Sequence, residues 1–399
     1  MNPYLRRWLS LSLFSLLLVA LLGVIMRYKI VYALPFINQK NLLHAHSHFA
    51  FAGWITQALM SLLVASLPSD NSTETFRKYR PVLIANLLTA YGMLLTFPFQ
   101  GYALLSIIFS TLSIFASYWF TIWYWRDMNR STQKNIGHSW FKAALLFNNL
   151  SSLGAFALAF MLASGTFTAE KYLASVYFFL HFQYNGWFFF ACMGLFTLKL
   201  LQSGADKTAL KKIFFLFASA CFPAYFLSAL WLPVPKWVYI IVVIAVIFQL
   251  VAWGLTVREV RRLIPVIRKN FNHFSLTLFQ LVGIALTVKL CLQTASVIPS
   301  MSKLAFGFRP IVIGYLHLVL LGVISLFLLA YIITFKLIRI TRMLSYGILI
   351  FVAGILLNEI LLMIQGIADL GYKPVPFINH FLLIASLILF LGALLINIS

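Results

Sequence analysis

Acidic residues are nearly absent: eight Asp and Glu stand against 30 Lys and Arg in 399 residues, for a net charge of +22. A soluble core of this length carries a mixed-sign surface of about one charged residue in four, whereas only 10% of this chain is charged. Cysteine is scarce too, and Cys192, Cys221 and Cys291 all lie in apolar stretches. They form no disulfide framework and no Cys-x-x-Cys-His attachment site, so any prosthetic group is held without covalent links. In excess are hydrophobic residues at 62% and aromatic ones at 17%. This composition defines an all-α integral membrane protein whose solvent is the lipid bilayer. The basic residues do not line one exposed face but fall in short connectors between apolar runs. They read as topology signals, and nucleic acid is excluded as a partner.

The apolar runs predict twelve transmembrane spans, at about 9–32, 43–67, 81–99, 103–125, 140–164, 172–198, 211–232, 236–256, 274–296, 310–335, 343–366 and 376–397. The first begins after Arg6 and Arg7 like a signal sequence. Its apolar run exceeds a signal core, and no small-residue cleavage site precedes Arg27 and Lys29, so it is read as a mature helix. Most basic residues lie at the N-terminus or after even-numbered spans, which places both termini in the cytoplasm.

A sequence cadence repeats three times. His48-Phe-Ala-Phe-Ala-Gly53-Trp54 returns as His181-Phe-Gln-Tyr-Asn-Gly186-Trp187 and, weaker, as His317-Leu-Val-Leu-Leu-Gly322-Val323. Each interval between these histidines holds four spans, which gives one membrane domain of three pseudo-repeats, about 1–134, 135–268 and 269–399. Phe14, Phe147 and Phe279 recur in the first span of each set, and Pro98, Pro233-Val-Pro235 and Pro374-Val-Pro376 mark the outer turn between the third and fourth. The three histidines lie within about two or three turns of the outer starts of spans two, six and ten, in one outer layer. An imidazole in a bilayer needs a partner, and a haem or metal centre is the simplest one.

The other candidates have two readings each. His44 and His48 share a helical face, a spacing that suits Cu or Zn, although His44 near the interface also reads as solvated. His46 points the opposite way and competes with His48 as an iron ligand. His181 either ligates a second metal or haem, or bonds Gln183 or Asn185 in a satisfied interior cluster. Trp54 and Trp187 pack on a porphyrin edge or simply within the bundle. His138 and His273 read as surface residues beside connectors, and His380 as lying near the outer end of span twelve. Lys289 and Glu359 fall at similar depth in spans nine and eleven, where an unpaired ion costs several kcal/mol, so a charge pair between them or a neutralised Glu359 is expected, read as a registry-setting bridge or as a proton relay or propionate neighbour. Arg309, Lys303, Lys373, Lys40 and Arg27 on the outer side suit propionate neutralisation or ordinary interfacial anchoring.

Twelve spans in three sets of four, with histidines near the outer ends of spans two, six and ten, resemble subunit I of the haem-copper oxidase and nitric-oxide reductase superfamily. The His44-Ala-His46 opening also resembles NnrS-type haem and copper membrane proteins, with Ser47 where their acidic residue is usual. The resemblance covers the whole chain at the level of architecture. It implies a b-type haem held by His48 and His317 on one iron, with His181 in the place of a copper ligand. The chain departs from the full pattern: residues 182–272 contain no histidine, and span ten has one where two are usual. The standard oxygen-reducing centre is therefore not expected. No carboxylate lies in the cytoplasmic half of any span, so neither is proton pumping. Electron transfer or nitric oxide and oxygen handling is the implied function, with a cytochrome or quinol donor, partner subunits and the bacterial inner membrane as its setting. Whether the chain turns over a substrate stays open. The competing readings are a twelve-helix transporter, against which the one-third period argues, and a non-catalytic assembly or sensory subunit.

Overall fold

The computed structural model describes residues 2–68, 71–131, 135–271, 273–302, 308–334, 336–337 and 341–399. Among the described residues there are helices and no strand. The main helices in chain order are α1 Pro3–Val31, α2 Gln39–Ala65, α3 Ser72–Gln100, α4 Leu104–Arg130, α5 Ile136–Ser164 and α6 at 169–202. There follow α7 Lys207–Cys221 with a 3₁₀ extension Pro223–Ala229, α8 Lys236–Asn270, α9 His273–Ala295, α10 Arg309–Thr334, α11 Arg342–Leu370 and α12 Ile378–Asn397. Each expected span falls on one of these. Ten are long and apolar enough to cross a membrane, and the α7 pair, bent by 42°, makes up to eleven. The α6 helix falls short by composition, because His181, Gln183 and Asn185 occupy its middle.

Helix starts follow from short polar residues that accept orphan backbone N–H groups. The side chains of Asn2, Asn38, Asn71 and Asp206 each cap two such donors at α1, α2, α3 and α7. Asn135, Thr168 and Thr341 each cap one at α5, α6 and α11. Proline behaves less uniformly than expected. Pro233–Pro235 and Pro374–Pro376 do lie between helices, whereas Pro98 sits inside α3. There the turn is made by Gly101 at φ +61°, which any Cβ would strain.

The side-chain distribution inverts that of a soluble protein. Leu88, Leu95, Leu104, Phe160 and Ile367 are exposed, while Ser12, Gln57, Asn86, Asn148 and Gln183 are buried. Apolar atoms meet lipid at no cost, and polar groups must find partners inside.

The chain forms two compact units, Met1–Arg130 with Leu328–Ser399, and Ser131–Phe327. The breaks fall at the end of α4 and inside α10. In the first unit α11 and α12 form a hairpin that packs against α1. A Cβ on Gly392 would lie 2.5 Å from the Phe351 backbone, and one on Gly354 2.9 Å from Leu389, so small residues set this close approach. Asn397 Nδ2 donates to the Leu13 carbonyl at 3.0 Å. In the second unit α5 packs on α6, α7 on α8, and α9 on the π-helical part of α10. The turn between α6 and α7 is tied to α8 by Glu259, whose Oε1 accepts from the Asp206 N–H at 2.8 Å and from Arg262 at 2.5 Å.

Candidate functional site

A π-helical stretch follows each of the three motif histidines: Ala50–Thr56 in α2, Phe182–Phe188 in α6 and Leu318–Ser325 in α10. A π turn carries an extra residue, widens the helix and takes carbonyls off the regular ladder. In α2 the disturbed region finds a partner in α3: Asn86 Nδ2 donates to the Ala52 carbonyl at 3.1 Å and to Gln57 Oε1 at 2.8 Å. Trp54 and Trp187, inside the stretches, are 1% and 0% exposed.

The α2 histidines divide between two faces. His48 stacks on Phe97 with ring centroids 4.7 Å apart and planes at 9°, and its Nε2 lies 2.8 Å from the Tyr102 hydroxyl. His44 packs edge-on against the same Tyr102 at 4.6 Å, and its Nε2 is buried without a hydrogen-bond partner. His46 turns toward α1, where its Nδ1 is 3.1 Å from the Val19 carbonyl. A carbonyl only accepts, so this contact puts the proton on Nδ1 and the lone pair on Nε2.

His181 is bonded at both nitrogens. Nε2 donates to the Cys221 carbonyl at 2.8 Å, so Nδ1 holds the lone pair and accepts from the Asn185 amide at 3.2 Å. Around it, Gln183 Nε2 donates to Asn148 Oδ1 at 2.9 Å and Ser151 Oγ at 2.7 Å, and the Cys221 thiol donates to the Asn185 carbonyl at 3.8 Å. This is the geometry of an interior polar cluster, in which the Asn185 amide engages the Nδ1 lone pair of His181. Among the described residues, no three His, Cys, Asp or Glu side chains converge as a metal-ion cage.

His317 resembles His46. Its Nδ1 donates to the Ile313 carbonyl one turn back at 2.8 Å, which again places the lone pair on Nε2. Arg309, exposed, is the first residue of α10, about 12 Å along the axis from His317 at 1.5 Å per residue. Lys303 lies outside the described residues. Lys289 is buried in the second unit with Nζ 5.7 Å from the Phe189 ring. Glu359 is half-buried in the first unit, where its Oε1 accepts from Asn358 at 3.2 Å.

Of the three remaining histidines, His273 and His380 are exposed. His138, expected at the surface, is 6% exposed because the first turn of α5 is covered, and a Cβ on neighbouring Gly137 would meet Leu198 at 2.6 Å. Sequence reasoning passed over Phe97, Tyr102, Asn86 and Cys221. A signal existed for Asn86, an amide in the middle of an apolar run. None existed for Tyr102, an interfacial tyrosine beside a turn, or for the backbone carbonyl of Cys221.

No protein-family model matches the chain, and a search of curated proteins finds no significant match.

Proposed function

We propose that this chain is a haem-binding membrane protein of the haem-copper oxidase subunit I type, built from three four-helix repeats, with His48 and His317 as axial ligands to b-type haem. The observation that supports this reading most is the recurrence of a π-helical stretch that begins within two residues after His48, His181 and His317. Such stretches are rare and concentrate at functional sites. Three at one point of a repeated motif support a common plan for α2, α6 and α10. The donor chemistry fits as well: His317 is fixed by a carbonyl in the tautomer that presents Nε2, as metal-binding histidines commonly are. On α2, His46 has that tautomer, while His48 meets the Tyr102 hydroxyl, which would have to yield.

A haem held there would supply one-electron chemistry and a site for a small gas. The chain's own residues orient the imidazoles, through the Val19 carbonyl for His46 and the Ile313 carbonyl for His317, and Trp54 is buried within the π-helical turn. With His181 taken up by Cys221 and Asn185, copper-dependent oxygen reduction has little support, and electron transfer or nitric oxide and oxygen binding is favoured. Both termini on the cytoplasmic face of a bacterial inner membrane, with a quinol or cytochrome donor, complete the proposal.

The test is a reduced-minus-oxidised spectrum with pyridine haemochrome quantitation on detergent-purified protein. Stoichiometric haem is expected in the wild type and should be lost in His48→Ala and in His317→Ala. Loss in His46→Ala with retention in His48→Ala would transfer the α2 ligand to His46. A folded, haem-free wild type after haem-replete expression would overturn the proposal and leave transport, read as substrate flux into vesicles, or scaffolding.

A further inference from the structure

A groove of about 620 Å³ opens at the start of α1, lined by Pro3, Arg6, Arg7, Ser10 and Leu11. Its size suits a polar headgroup. Both arginines are exposed, and among the described residues the ion pairs are Lys78–Asp127 and Glu259–Arg262, so neither has an acidic partner. Glu74 lies in the first turn of α3, two residues from the Ser72 that Asn2 contacts, and pairs with neither. The exposed face continues along α1. Leu11, Phe14 and Leu21 are 39%, 44% and 37% exposed, and their spacing of three, four and seven residues keeps them in line with Arg7. Between them, Trp8, Leu9, Ser12, Leu13 and Leu16 are buried.

One helix face therefore presents two unpaired guanidinium groups at its end and an apolar track beyond them. This is the polarity of one amphiphile lying along the helix. We propose that the groove binds an anionic phospholipid, its phosphate held by Arg6, Arg7 and Ser10 and an acyl chain running over Leu11, Phe14 and Leu21. Guanidinium forks match phosphate oxygens in paired hydrogen bonds, so the site discriminates by headgroup charge. A free phosphate or a soluble acidic ligand would satisfy the arginines but leave the apolar track unused.

Native mass spectrometry of the delipidated full-length protein, offered phosphatidylglycerol and phosphatidylcholine of identical chains in equal amounts, tests this. At about 1 kcal/mol per basic residue, two arginines correspond to roughly thirtyfold preference for the anionic lipid. The preference should collapse in Arg6→Gln/Arg7→Gln and persist in Lys211→Gln/Lys212→Gln, which removes two exposed charges from α7. Because Arg6 and Arg7 also carry topology information, Arg6→Lys/Arg7→Lys provides a variant that keeps both charges. It should insert normally and retain a reduced preference. Excess inorganic phosphate should leave the bound lipid in place. Equal retention of the two lipids by wild type, equal loss in the α7 control, or displacement by phosphate alone would overturn the proposal.

Discussion

The α2 and α6 helices carry the same motif and the same π-helical turn, yet treat their histidines in opposite ways. On α6, His181 is 1% exposed and bonded at both nitrogens. On α2, three partly exposed histidines have different surroundings: His44 Nε2 has no hydrogen-bond partner, His48 meets a tyrosine hydroxyl, and His46 meets a carbonyl through Nδ1. The backbone device is common to both helices, and the surroundings of the histidines are not. The same backbone turn is thus followed by different neighbours, an α7 carbonyl and an amide for His181 and a tyrosine hydroxyl for His48.

The strongest way to break this comparison is to exchange the consequences of losing each histidine. His48→Ala should abolish haem binding with a modest loss of stability, whereas His181→Ala should keep haem in the folded fraction and cost about 2–4 kcal/mol, from a buried void and an orphaned Cys221 carbonyl. Haem content and thermal unfolding in detergent, measured side by side, read both; loss of haem in His181→Ala would erase the distinction. Next in size is crowding at the motif glycines. A Cβ on Gly186 would lie 2.5 Å from Phe147, on Gly53 2.6 Å from the Phe49 ring, and on Gly322 3.3 Å from Ala285. Alanine at Gly186 should therefore cost about 1–3 kcal/mol, at Gly53 somewhat less, since a ring can tilt, and at Gly322 least. Equal melting temperatures for the three variants would show that the turns are not held by this packing. Asn86→Ala should cost about 1 kcal/mol by stripping the Ala52 carbonyl of its partner, with faster amide exchange confined to α2. The smallest effect is expected for Tyr102→Phe, about 0.5 kcal/mol with undiminished haem occupancy. A fall in occupancy would make the hydroxyl part of the site.

Much of the helix layout was legible in the residues. The span expected at 274–296 is His273–Ala295, and that at 343–366 is Arg342–Leu370. The α8 helix runs on to Asn270, well past the expected 256. Basic residues such as Arg258, Arg261 and Arg262 end a membrane span without ending a helix, and Glu259 ties this extension to the turn before α7. The motif histidines were visible as a spacing, and the placement of His44 with His48, against His46, follows from four-residue helical geometry. The π turns were not visible, because an inserted residue leaves apolar periodicity almost unchanged over so short a stretch. Also out of reach was the choice between the two readings of His181, since Cys221 contributes a carbonyl that every residue possesses.

Sequence alone determined that this chain belongs in a bilayer and where its helices run, because hydrocarbon thickness imposes apolar runs of about 20 residues, and backbone groups in lipid must bond within the segment. Only the tertiary structure decided the state of each imidazole. Those states depend on partners 27, 40 and 54 residues away, Val19 for His46, Cys221 for His181 and Tyr102 for His48. A hydrogen bond acts over about 3 Å of space whatever the distance along the chain.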